Sequence, residues 1–95
     1  MPYELKSTPY FDREYKKLNK NQLSRVNEAI DEVVKDPVAG EPKAGDLAGC
    51  QVYKFKVLDQ LFLLGYEVIG ETIYLQRIAP HGNYYRDWKK TRKKS

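Results

Sequence analysis

Five residues between positions 77 and 86 have side chains suited to work on a phosphodiester: Arg77, His81, Tyr84, Tyr85 and Arg86. Two are permanent cations. One imidazole, from the only histidine of the chain, titrates near neutral pH. The two phenols can stack on bases or pass on a proton. A second cationic pair, Lys54 and Lys56, stands two residues apart in a segment that alternates as a strand does. Alternation puts both ammonium groups on one face, about 7 Å apart. Such a pair tolerates its own repulsion better when an anion bridges it. Each part also has a plainer reading. A strand face with two lysines is often only solvated, and a lone histidine is often structural.

The charge is placed unevenly. Residues 86–95 (RDWKKTRKKS) hold six Lys/Arg and one Asp, a net +5, against a net +4 for the whole chain. The rest of the molecule is therefore close to neutral, and the basic excess lies in this tail. Arg86, Lys89, Lys90 and Arg92 are its candidate contacts to a nucleic-acid backbone; a solubilising tail or a dock for an acidic partner are the alternatives.

Other chemistries find few residues. One histidine and one cysteine, Cys50, give no disulfide and no zinc set, and the carboxylates are scattered, so no metal and no cofactor is expected. Gly40, Gly45 and Gly49 do not form a phosphate-cradling loop. Cys50 reads as a buried residue at a strand edge. No apolar run nears the roughly 18 residues of a membrane span, and the first twenty residues lack the apolar segment of a signal peptide. The cytoplasm is the default compartment.

The elements that would position these groups follow from periodicity. Residues 3–8 read as a strand. Thr8 then Pro9 is a helix start, and Phe11, Tyr15 and Leu18 share one stripe. Asn19–Lys20–Asn21 reads as a break. Leu23, Val26, Ala29, Ile30, Val33 and Val34 mark a second helix over 22–35, ended by Asp36–Pro37. Residues 36–49, with two prolines and three glycines, read as a loop. Three strands follow at 51–57, 60–68 and 72–79, joined by turns short enough for hairpins, and then a break at Pro80–His81–Gly82. A last short helix or irregular tail completes the chain.

The expected architecture is one α+β domain over residues 1–95, ordered β-α-α-β-β-β(-α). Its sheet carries an antiparallel meander, with a helical hairpin packed on one face. Tyr53, Phe55 and Val57 should lie under the helices, and Val52, Lys54 and Lys56 on the other face. That second face is left for function or for a partner.

At this point the sequence resembles the RelE/ParE superfamily of type II toxin–antitoxin toxins, and more its RelE and YafQ-like branch. LAGCQVYKFK (47–56) is similar to the family's L-x-G…Y-K-x-K strand. LLGYEV (63–68) is similar to its L-V-Y-x-V strand. RIAPHGNYY (77–85) is similar to its R-x₃-H-x₃-Y/F closing strand and turn. The likeness covers nearly the whole chain. It implies a ribosome-dependent, metal-free mRNA endonuclease that inhibits translation. In that reading Lys54, Lys56 and Arg77 stabilise charge, His81 is a general acid or base, and Tyr85 is its partner or a stacking ring. It also implies a cognate antitoxin laid over the sheet and tail, with Tyr53, Tyr74 and Trp88 as exposed candidates to meet it.

Two departures stand out. The family's middle-strand arginine falls here on Leu63 or Phe62, and Asp59 is only a loose match for the aspartate of YafQ-like members. The competing readings are a ParE-like inhibitor of DNA gyrase and a non-catalytic module that binds RNA or a partner through the basic tail.

Overall fold

The computed structural model describes residues 3–80, apart from the side chain of Asp46. The last-placed of the expected site residues, His81, Tyr84, Tyr85, Arg86, Lys89, Lys90 and Arg92, lie outside this span, as do Trp88, the tail 86–95 and the expected final helix.

The chain opens with a short strand, β1 (Glu4–Ser7), and two helices, α1 (Pro9–Lys16) and α2 (Lys20–Lys35). Each helix starts for a local reason. The Thr8 hydroxyl accepts the Phe11 amide at 3.2 Å and Pro9 occupies the first turn. Asn19 caps α2: its side chain accepts the Gln22 amide at 2.9 Å, and the Gln22 side chain accepts the Asn19 amide at 3.0 Å. The run Asn19–Lys20–Asn21, expected as a break, is thus a capping box, and α2 begins two residues earlier than its apolar spacing suggested. Asp36 ends α2 before Pro37, as expected.

Residues 36–49 are less irregular than expected. They contain a two-residue strand, β2 (Glu41–Pro42), and a 3₁₀ turn over Gly45–Leu47. A proline is admissible in β2 because it lies at the sheet edge. Then come β3 (Cys50–Val57), β4 (Gln60–Ile69) and β5 (Thr72–Pro80). Pro80 closes β5 instead of breaking it.

The five strands form one sheet in the order β1-β5-β4-β3-β2. β3, β4 and β5 are the antiparallel meander, and β1 pairs parallel with β5, Leu5 opposite Ile73. Both helices pack on one face. The core there joins Phe11, Val26, Ala29 and Val33 to Phe62, Leu64, Tyr66, Ile73 and Ile78, with Tyr53, Phe55 and Val68 at its margin. Each large apolar side chain so buried contributes about 1.5–3 kcal/mol. The face assignment of β3 holds as expected. The other face is not fully open, however. Leu47 from the 3₁₀ turn packs on Cys50, Val52 and Leu63 and makes a second, smaller core.

Candidate functional site

The lysines stand beside this second core. Lys54 lies opposite Leu63 and Lys56 opposite Leu61, and Leu63 in turn faces Ala79 on β5. Both lysines are exposed, while Leu61 and Ala79 are half-buried against the cluster. The result is a small apolar floor edged by two ammonium groups. Leu63 is fully buried in that floor. A guanidinium in its place could not be buried there without a partner.

Glu41 is a member of the site that the sequence reading missed. It faces Val52 across the β2–β3 pairing, so it shares a face with Val52 and Lys54. Lys43 donates to its carboxylate. The Lys43 hydrogen bond, then the charges of Lys43 and Lys54, hold the Glu41 carboxyl below its usual range. The only signal for this was the pattern Glu-x-Lys inside a segment rich in proline and glycine.

This loop is anchored by Tyr66. Its hydroxyl, fully buried, donates to the Pro37 carbonyl at 2.7 Å and accepts the Gly40 amide at 2.9 Å. Burial raises its pKa above the ordinary value. The space is tight: a methyl group on Gly40 would sit 2.5 Å from the Tyr66 oxygen. Tyr66 therefore fixes the start of the segment that carries Glu41 to Lys54.

Arg77 is placed differently from the lysines. It lies within β5 opposite Gly65, beside a register shift, and the strand runs on for three residues. Its guanidinium binds both oxygens of Glu14 on α1, the Nε contact being 2.8 Å. The same Glu14 oxygen that accepts from Nε also accepts the Ile78 amide at 3.2 Å. The structure thus brings Lys43, Glu41 and Lys54 together, with Lys56 two residues further along the same strand face, and ties Arg77 to a helix two strand spacings away. His81 is bonded directly to Pro80, which ends β5 opposite Phe62.

Chemically, this arrangement can hold an anion at two adjacent cations and offers an ionised carboxylate next to them. Among the described residues, no group of three or more His, Cys, Asp or Glu converges as a metal site. No helix among them is long and apolar enough to cross a membrane. Tyr53, named as an exposed aromatic, is instead half-buried under the helices and stacked with Phe55 at 6.2 Å.

Comparison with known proteins gives concordant results. Residues 5–89 match the family described as the ParE-like toxin of type II bacterial toxin–antitoxin systems. No curated protein matches. Among solved structures, the fold is similar to that in the toxin–antitoxin complex RelBE2 of Mycobacterium tuberculosis, with 24% identity and a TM-score of 0.73, covering 85% of this chain and 100% of that one. A free double mutant of the E. coli toxin RelE superposes at 0.76 with 18% identity, covering 99% and 97%. The YoeB–YefM complex of Staphylococcus aureus gives 0.65 with 18% identity, covering 86% and 100%.

Proposed function

Because the chain belongs to the ParE-like toxins of type II bacterial toxin–antitoxin systems, we propose that it inhibits translation by cutting mRNA on the ribosome, without a metal ion. The observation that carries this reading is the pair Lys54 and Lys56, exposed side by side on one sheet face with the Glu41 carboxylate beside Lys54.

Cleavage of RNA without a metal requires the 2′-hydroxyl to lose its proton and attack the adjacent phosphorus, while the 5′-oxygen leaves and takes up a proton. Lys54 and Lys56 would bind the phosphate and offset the extra negative charge of the pentavalent transition state. Arg77, paired with Glu14, would act by holding the end of β5 against α1. His81 would act as general acid or base, and Tyr85 as its partner or as a ring stacked on a base. Glu41 offers a second proton acceptor on the lysine side. Tyr84, Arg86, Lys89, Lys90 and Arg92 would hold the RNA backbone. The ribosome would position the strand.

The partner in the cell would be a cognate antitoxin, as RelB and YefM are in the complexes just described, and the toxin would act in the cytoplasm. The family description and the apolar Leu63 in the middle strand favour a second reading, inhibition of DNA gyrase.

The deciding experiment follows ribosome-bound mRNA and gyrase supercoiling side by side with the full chain. Cleavage by the parent, lowered about 10²–10⁴-fold in His81→Ala and Tyr85→Phe, is expected. If both variants cut as the parent does, the acid–base assignment is wrong. If supercoiling is blocked and mRNA stays intact, the gyrase reading replaces this one. If neither occurs and loss of residues 86–95 abolishes RNA binding, the chain is a binding module.

A further inference from the structure

Among the described residues, the outer edge of β1 has no neighbouring strand. Its parallel pairing with β5 turns the backbone groups of Glu4 and Lys6 inward, as the Glu4 amide to Glu71 carbonyl bond (2.9 Å) and the Thr8 amide to Leu75 carbonyl bond (3.1 Å) establish. Those of Tyr3, Leu5 and Ser7 then point outward. Leu5, 43% exposed, is also among the few large apolar side chains at the surface.

We propose that the chain self-associates through this edge, β1 pairing antiparallel with β1 of a second copy, Leu5 opposite Leu5. The inference goes beyond the proposed reaction and does not rest on it.

Backbone parity and charge select this register between them. Outward-pointing groups meet only if odd-numbered residues face odd-numbered residues. For so short a strand this leaves three two-fold registers. One puts Glu4 opposite Glu4, and another puts Lys6 opposite Lys6; like charges in direct cross-strand contact disfavour both. The third sets Glu4 opposite Lys6 on both sides of the axis. It also lets the two Leu5 residues exchange both amide–carbonyl bonds and cover each other's side chains. Charged residues on a short edge strand usually guard it against pairing. Here their signs alternate, and the guard fails in this one register.

The helices leave room for such a pair. α1 packs over β5 and α2 over β3. Across the joint, the two β5 strands would be three strand spacings apart, about 14 Å. That exceeds the 8–10 Å or so at which packed helices touch. Two paired four-residue strands cover less than the roughly 1,200 Å² of a stable interface. The association is therefore weak and concentration-dependent.

The test is sedimentation velocity of the full chain across a concentration series reaching several hundred micromolar, with Glu4→Lys, Lys6→Glu and the double swap. The parent is expected to self-associate, with the Leu5 and Ser7 amides exchanging more slowly as concentration rises. Each single change opposes like charges at two places and should weaken association about tenfold. The double swap should restore it. A parent that is monomeric throughout, single variants that associate like the parent, or a double swap as weak as the singles would each overturn the proposal.

Discussion

Glu14 of α1 holds Arg77 of β5 from a position 63 residues earlier in the chain, gripping the guanidinium with both oxygens and taking the Ile78 amide as well. The pair lies beyond the stretch of β5 that β1 covers, and it fastens the helix to that strand. Removing the carboxylate takes this acceptor from a mostly buried guanidinium and from the Ile78 amide. Glu14→Ala should therefore cost about 3 kcal/mol, read as a lower urea midpoint at constant slope. Replacing both partners, as in Glu14→Leu with Arg77→Met, should cost less than the single change, because no charge is then stranded.

Tyr66 lets the buried hydroxyl be tested against pH. Tyr66→Phe removes the hydroxyl that accepts the Gly40 amide and donates to the Pro37 carbonyl, a loss of about 1–3 kcal/mol. Hydrogen exchange of residues 37–43 should quicken. Burial raises the folded pKa above the model-compound value of 10.0. A raised pKa means that the unfolded chain loses this proton first as pH increases. The stabilisation is complete below pH 10 and declines above it. The difference in unfolding free energy between parent and Tyr66→Phe should shrink as pH rises through that range. A difference that stays constant to the alkaline limit would contradict the assignment.

Much of this was readable from short-range rules, because the physics behind those rules is local. Thr8–Pro9 names a helix start whatever the tertiary context. The alternation Tyr53–Lys54–Phe55–Lys56 sorts β3 into a core face and a charged face once one face must be buried. Three features were not readable for the same kind of reason. Asn19 can break a helix or cap one, and the choice rests on whether Gln22 returns its bond. Glu41 sits in a segment whose prolines and glycines argue for a loop, and its strand exists only because β3 offers it an edge. Arg77 reads in the sequence as a cation near a strand end. Its commitment to Glu14 depends on how α1 lies on the sheet, which no local pattern states.

Leu58 sits in the two-residue turn between β3 and β4 with φ of 56° and 81% of its surface exposed. A left-handed conformation costs a residue with a β-carbon about 1–2 kcal/mol, and glycine is the residue such hairpin turns favour. Leu58→Gly removes this strain and little packing, while adding chain entropy to the unfolded state. The net effect should be a stabilisation of about 1 kcal/mol, or some 4–8 °C in Tm for a domain this size. A lower Tm would mean that the side chain has packing in solution that outweighs the backbone term.

The lysines and Glu41 separate structural from chemical roles most cleanly. Lys54, Lys56 and Glu41 are exposed. Exposed substitutions away from caps and buried networks usually change stability by less than about 0.5 kcal/mol. Lys54→Ala and Lys56→Ala should therefore melt as the parent does. Each should still lower single-turnover mRNA cleavage on the ribosome by about 10²–10³-fold, the usual effect of removing a donor aimed at developing charge. Glu41→Gln sharpens the assignment. If the carboxylate only balances Lys43 and Lys54, its loss strengthens the field at the phosphate, and cleavage rises or stays level. If it takes the 2′-hydroxyl proton, cleavage falls although RNA binding tightens. The second outcome is expected, because the carboxylate stands beside Lys54, where the phosphate would bind, and its exposed position leaves it accessible to a substrate. Measuring the rate constant and the RNA affinity on the same preparation distinguishes the two. A fall in both together would point instead to a misplaced β2 and would remove Glu41 from the chemistry.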